Sequence, residues 1–254
     1  MSVESENKTL VVVTGPTASG KTRRAVELAG RLGGEIVSAD SRQVYRGMDI
    51  GTGKDLDEYG HVPYHMIDIC PAGYKYNLFQ YLRDYDIVEA DIRRRGRRPV
   101  LCGGTGLYVE SVLNGLRLPP VPENPDLRES LRGRSLEELT DMLASMKTLH
   151  NVTDVDSCQR AIRAIEIQTY YRDHPEAAVA SQPHPVKAVI IGVDIDRDAR
   201  RRRISERLEA RLSSGMIQEV ERLLEAGIPA DALIYYGLEY KIEKRYVTGA
   251  IARE

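Results

Sequence analysis

An octapeptide near the N-terminus limits what this chain can fold into more than any other feature. Gly15-Pro16-Thr17-Ala18-Ser19-Gly20-Lys21-Thr22 fits the pattern Gly-x-x-x-x-Gly-Lys-Thr in full. Residues 10–13 before it are apolar and mostly β-branched, and read as a buried parallel strand. Residues 22–32 after it carry Ala25, Leu28, Ala29 and Leu32 at helical spacing, and Gly33 and Gly34 stop that helix. Strand, glycine-rich turn and helix in that order make a phosphate-binding loop. The glycines let backbone amides converge on phosphate oxygens. The helix N-terminus adds unpaired N–H donors and partial positive charge. Lys21 supplies a point charge, and Thr22 offers a hydroxyl to Mg²⁺. A chance match in a tight turn would lack both neighbours.

The rest of the chain continues the alternation. Residues 35–39, 99–102 and 186–193 read as further strands, and residues 79–94 as a helix. This pattern predicts an α/β fold: a P-loop NTPase-like parallel sheet flanked by helices. Ligands in such folds bind outside the carboxyl ends of the strands. The middle breaks the alternation. Pro119, Pro120, Pro122 and Pro125 exclude a central strand or a helix interior there. Residues 127–149 and 156–172 look helical with no strand between them, and Pro175, Pro183 and Pro185 follow. We therefore expect a core domain from residues 8–120 and 186–254, interrupted by a helical insertion domain at 121–185. Residues 198–226 read as one long charged helix that Gly215 interrupts.

Composition narrows the class of partner. A net charge of -2 and a pI near 6.3 give no global attraction for nucleic acid, so an RNA partner must meet a local basic surface. Cys70, Cys102 and Cys158 are odd in number and none has metal-ligand spacing, which points to a reducing, cytoplasmic setting. The first residues lack a signal-peptide pattern, and no apolar run approaches the length of a membrane helix. No obligate protein partner is indicated.

Asp40 closes the second strand, where it faces a ligand on the phosphate loop or serves as a turn and cap residue. The strand at 99–102 ends in Gly103-Gly104-Thr105-Gly106, without the acid that kinases and NTPases place there for Mg²⁺, although the strand at 186–193 does lead to Asp194. Arg203, Arg207 and Arg211 repeat at four-residue spacing and share a helical face. Arg93, Arg94, Arg95, Arg97 and Arg98 read as a solvated helix end, with RNA contact as the other reading. His65 reads as a structural contact rather than a metal ligand. Tyr45 and Tyr108 either stack on a base or pack.

These residues resemble the tRNA dimethylallyltransferase (tRNA isopentenyltransferase) family, from Thr9 to about Gly249. The loop at 15–22 is that family's form of the motif. Ser38-Ala39-Asp40-Ser41-Arg42-Gln43-Val44-Tyr45-Arg46-Gly47-Met48-Asp49-Ile50-Gly51-Thr52 is the most telling further match. His65-Met66-Ile67-Asp68-Ile69, Gly103-Gly104-Thr105-Gly106-Leu107-Tyr108 and Gln159-Arg160-Ala161-Ile162-Arg163-Ala164-Ile165-Glu166 follow in the family's order.

The resemblance implies dimethylallyl diphosphate, with Mg²⁺, on the loop from Gly15 to Thr22. It implies Asp40, Lys21 and Thr105 as the catalytic set, with Asp40 the base on the exocyclic amine of an adenosine 3′ of the tRNA anticodon. The family has arginines at Arg203 and Arg207, and Arg207 is the one expected on the diphosphate. Asp40, Ser41, Arg42, Gln43, Thr105, Arg128, Gln159, Arg160, Ala161, Ile162 and Arg163 match tRNA-contacting positions. Tyr236-Gly237-Leu238-Glu239-Tyr240-Lys241 loosely matches another. The helical insertion resembles the family's anticodon-arm domain. Chemistry agrees with this assignment, because an adenine amine is a weak nucleophile that a hydrogen-bonded carboxylate activates, and pyrophosphate leaves more readily when its charge is neutralised. A free-nucleotide prenyltransferase acting on AMP, a P-loop small-molecule kinase using ATP, and a non-catalytic RNA-binding relative remain the alternatives.

Overall fold

The computed structural model describes residues 9–149 and 153–237, together with 240, 242 and 247. Met1–Gly115 with Pro185–Glu254 forms one compact unit, and Leu116–His184 a second. The division falls at residue 116, earlier than the prolines suggest, because Gly115 takes a left-handed conformation (φ +57°) and turns the chain out of its helix before the prolines begin.

The first unit is built on β1 (Leu10–Thr14), α1 (Lys21–Leu32), β2 (Gly34–Ser38), β3 (Tyr45–Arg46), β4 (Tyr64–His65), β5 (Cys70–Pro71), α2 (Leu78–Arg94), β6 (Arg98–Gly103) and α3 (Gly106–Leu113). The second holds α4 (Pro125–Ser130), α5 (Leu136–Met146), α6 (Cys158–Asp173) and α7 (Pro175–Ala180). The chain then returns to the first unit with β7 (Ala188–Gly192), α8 (Arg197–Ser213) and α9 (Met216–Glu225). Gly215 separates α8 from α9 at φ +98°. The stretch expected as one helix at 127–149 is instead α4 and α5, parted by Gly133 at φ +81°.

Five strands form a parallel sheet in the order β4-β2-β6-β1-β7. β1, β2 and β6 are buried along nearly their whole length, and their middles are apolar because both faces are covered. Val11, Val13, Ile36, Val100 and Cys102 pack with Ala25 and Ala29 of α1 in the core. β4 is too short for a sequence pattern to mark, and joins the sheet beside Ile36 and Val37. β7 is an edge strand whose Val189 and Ile190 are more than half exposed.

Register aligns the carboxyl ends. Thr14 stands opposite Gly103, and Ser38 opposite Cys102. The loops after β1, β2 and β6 therefore emerge side by side on one edge. At the opposite end, buried Glu35 is clasped by Arg95 from the C-terminus of α2 and by His65 Nε2 of β4 at 2.7 Å. Arg95 also holds Asp91, Arg93 pairs with Glu89 and Arg94 with Asp91, so much of the arginine run is spent on its own helix end.

The Arg95 guanidinium holds the Glu35 carboxyl below the usual carboxylate range, with His65 pulling the same way against the effect of burial. A lowered folded value means that this stabilisation is complete above the unfolded-chain value of about 4.3, and is lost as pH falls through the folded value. Glu35→Gln is expected to lower stability by about 1–3 kcal/mol near neutrality. The gap to the parent should narrow as pH falls from about 5 to about 3 in urea titrations, whereas a constant gap would contradict the assignment.

Candidate active site

A cavity of about 270 Å³ opens at the shared carboxyl edge of the sheet, entirely within the first unit. Its walls come from the three loops that the register brings together. Thr17, Ala18, Gly20, Lys21 and Thr22 line it from the phosphate loop, Asp40, Ser41, Arg42 and Gln43 from the segment after β2, and Cys102, Gly103, Gly104 and Thr105 from the end of β6. The turn at Gly51, Thr52 and Gly53, then Asp55, Glu58 and Tyr59, and two arginines of α8, Arg207 and Arg211, complete it.

The loop has the shape its sequence predicts. Ala18 and Gly20 are both left-handed, at φ +63° and +84°, which curls the backbone ahead of α1. Gly20 caps α1 without a side-chain hydrogen bond, so the first-turn amides keep their donors for a ligand. A Cβ on Gly15 would lie 2.3 Å from the Val193 carbonyl oxygen, and a glycine is required at that approach. Lys21 Nζ reaches back to the Pro16 carbonyl at 3.4 Å and passes over Gly104. The Ser19 hydroxyl is buried and has no hydrogen-bond partner among the described residues.

Asp40 satisfies both of its sequence readings. Oδ1 accepts from the Arg42 amide at 2.9 Å, a turn of the Asx type. Oδ2 accepts no hydrogen bond among the described residues, and Asp40 lines the same cavity as Lys21. The surrounding segment is tightly tied. Thr105 Oγ1 accepts from the Ser41 amide at 3.0 Å and donates to Ser41 Oγ at 3.3 Å. The Thr105 amide donates to the Ala39 carbonyl at 3.1 Å. Buried Gln43 accepts from Ser38 Oγ at 3.0 Å and donates to the Gly53 carbonyl at 3.1 Å. Thr105 and Gln43 are thus placed to hold Asp40 in position.

Charges around the cavity nearly balance: Lys21, Arg42, Arg207 and Arg211 against Asp40, Asp55 and Glu58. Arg211 Nη2 lies 3.5 Å from Asp55 Oδ2. Glu58 titrates above the usual carboxylate range, first through lost hydration and then through Asp55, while Arg207 opposes the shift. Arg203 stands apart and lines a separate surface hollow beside Ser19 and Asp194. Burial pushes the Cys102 thiol up to about 12, so it stays protonated and is no nucleophile. Tyr108 is buried with its ring 3.8 Å from that of Tyr81, and Tyr45 packs edge-on against Tyr236, so both tyrosines are core residues here.

Among the described residues no group of three His, Cys, Asp or Glu side chains can hold a metal ion alone. The donors present suit Mg²⁺ shared with phosphate oxygens and water, for which the Thr22 hydroxyl is the available protein ligand.

In the second unit, Leu131, Leu139, Leu143, Ala161, Ala164 and Ile165 form a separate apolar core. Ala161 is wholly buried there, so its methyl belongs to the packing, while half-buried Ile162 packs against the same core. Gln159 and Arg160 are exposed on the first turn of α6, with Arg160 paired to Asp156. Arg128 makes two 3.0 Å bonds to buried Glu166, which also binds Arg163. Leu238, Glu239 and Lys241 of the loosely matched C-terminal motif lie outside the described residues.

Sequence reading missed two residues that shape the site. Lys54 is buried and binds Asp49 at 2.5 Å, the Tyr45 carbonyl at 2.7 Å and Asp68, holding the strands' neighbouring turns together. Glu219 is buried on α9 and takes three backbone amides from the turn before Gly53. Its signal was available: it falls on the buried face shared by Met216, Val220 and Leu223.

Comparison with known proteins agrees with this architecture. Residues 43–254 match the family described as IPP transferase, and residues 8–59 the family described as isopentenyl transferase. A protein named tRNA dimethylallyltransferase 1 from Porphyromonas gingivalis is 59% identical over 244 residues, which is 94% of this chain and 80% of that one. The tRNA isopentenylpyrophosphate transferase of Bacillus halodurans has a similar structure, with a TM-score of 0.68 at 33% identity across 96% of this chain and 79% of that one. A eukaryotic dimethylallyltransferase acting on tRNA shares the fold at a TM-score of 0.72 and 22% identity, covering 86% of this chain and 56% of its own.

A Cβ on Gly103 would sit 2.2 Å from the Ala39 carbonyl oxygen. Gly103→Ala must therefore force apart the ends of β2 and β6. It is expected to lower stability by about 1–3 kcal/mol in urea unfolding. An unchanged midpoint would mean that this close approach is not maintained.

Proposed function

The chain belongs to the IPP transferase family of tRNA isopentenyltransferases, and from that membership we propose that it transfers a dimethylallyl group from dimethylallyl diphosphate to the exocyclic amine of the adenosine 3′ of the anticodon, in tRNAs reading codons that start with U. The observation that carries this reading is that Lys21, Thr22 and Asp40 line one cavity, which brings an anion cradle and a carboxylate together. The reaction is cytoplasmic.

The donor's diphosphate sits on the amides at the start of α1, with Lys21 and Arg207 countering its charge. The Thr22 hydroxyl would hold Mg²⁺, which would supply further positive charge against the departing pyrophosphate. As the allylic C–O bond breaks, the amine nitrogen forms its bond to the same carbon and its proton passes to Asp40 Oδ2. Oδ1 is already engaged by the Arg42 amide, which fixes the carboxylate's orientation. Thr105 acts by holding Ser41, and so steadies the segment that carries Asp40. An adenosine in a folded anticodon loop reaches such a cavity only when turned out of its stack.

The helical second unit is the proposed anticodon-arm grip. Gln159 and Arg160 offer exposed groups for it, and Glu166 presents Arg128 and Arg163 as an ordered pair rather than as mobile charges.

Asp40→Asn is expected to slow transfer by at least about a hundredfold, the usual range for a lost general base. Lys21→Ala is expected to abolish donor use. Mass spectrometry of nucleosides from unmodified tRNA, incubated with dimethylallyl diphosphate and Mg²⁺, reads both outcomes, with AMP as a competing acceptor. Full activity in either variant, or preference for AMP, would overturn the reading, as would phosphate transfer from ATP.

A further inference from the structure

Three consecutive backbone amides converge on one buried side chain beside the cavity. Glu219 Oε2 accepts from the amides of Asp49 and Ile50, each at 2.8 Å, and Oε1 from the amide of Gly51 at 3.0 Å. Tyr240 donates its hydroxyl to Oε1 at 2.6 Å. The residue is 2% exposed, so water does not share these bonds. A run of amides closing on an anion is the arrangement by which proteins bind phosphates, and here the protein's own carboxylate fills it.

The last of this trio, Gly51, begins the cavity wall, which continues through Thr52 and Gly53. A Cβ on Gly51 would meet the Tyr240 ring at 2.6 Å, and one on Gly53, itself at φ +63°, would meet the Arg211 guanidinium at 1.7 Å. On its inner side the Gly53 carbonyl receives Gln43. The wall is therefore pressed between C-terminal elements and the segment that bears Asp40, with no slack of its own.

We infer that Glu219 is the positioning residue that sets this wall, and with it the space and the arginine placement met by the diphosphate of the donor. The inference rests on reading the cavity as the donor site. Glu219 touches no reactant; it acts through Gly51, Gly53 and Arg211.

Glu219→Gln keeps the shape and one acceptor oxygen, but turns an amide NH₂ toward backbone donors. The KM for dimethylallyl diphosphate is expected to rise about tenfold, while kcat and the KM for tRNA move less than about twofold. The dissociation constant for inorganic pyrophosphate with Mg²⁺, measured by calorimetry, should rise in step, and amide hydrogen exchange at residues 49–51 should accelerate relative to β1 and β6. Tyr240→Phe removes one of the four donors and is expected to shift the same constants by about threefold. An unchanged donor KM and pyrophosphate affinity in Tyr240→Phe and in folded Glu219→Gln would overturn the inference. So would a fall in kcat alone, which is what a reduced folded fraction produces. Should the wild-type protein not use dimethylallyl diphosphate, the donor reading fails by itself, and pyrophosphate affinity and amide exchange still decide the role of Glu219.

Discussion

The carboxyl edge of three in-register parallel strands is the constraint on which the site depends. β1, β6 and β2 lie side by side, with Thr14 opposite Gly103 and Ser38 opposite Cys102. Their following loops then have no choice but to share one opening. Gly103 makes the last step possible, because its missing side chain lets the Ala39 backbone come within contact of β6. The Thr105 amide then reaches the Ala39 carbonyl, and the Thr105 hydroxyl the Ser41 amide. The phosphate loop and Asp40 line one cavity because the sheet is parallel and its strands end together.

Buried polar and charged side chains tie that opening together. Lys54 draws Asp49 and Asp68 toward one point, Glu219 gathers the amides at 49–51, and Gln43 spans from Ser38 to Gly53. Each is desolvated, and each is kept by having its hydrogen bonds satisfied. The cavity's own charges are less buried: half-buried Lys21, Arg207 and Arg211 bring positive charge to its walls, and exposed Asp55 and Glu58 partly offset it. The second unit repeats the device, with Glu166 ordering Arg128 and Arg163 over its own apolar core.

Much of this was legible in the sequence where a local pattern forces a local shape. The loop from Gly15 to Thr22 carries its strand and helix beside it, and the position of Asp40 at the end of β2 followed from the strand alone. Gly215 broke the long C-terminal helix as its type predicts. Two kinds of information were missing. β4 spans only Tyr64–His65, too short for a period of two to register. The partners of Lys54 and Glu219 are set by tertiary packing, since Glu219 lies 168 residues from Gly51 in the chain. Ala161 shows what a motif match leaves open: its neighbours Gln159 and Arg160 are exposed, but helical geometry turns its own methyl inward.

The most direct test is a crystal structure of the protein with a tRNA anticodon stem-loop and an unreactive thiolo analogue of dimethylallyl diphosphate. The account predicts the analogue's phosphates on the amides at the start of α1, and the adenine amine within about 3 Å of Asp40 Oδ2. An adenine bound elsewhere, or an Asp40 carboxylate turned from the amine while the diphosphate occupies its cradle, would contradict it.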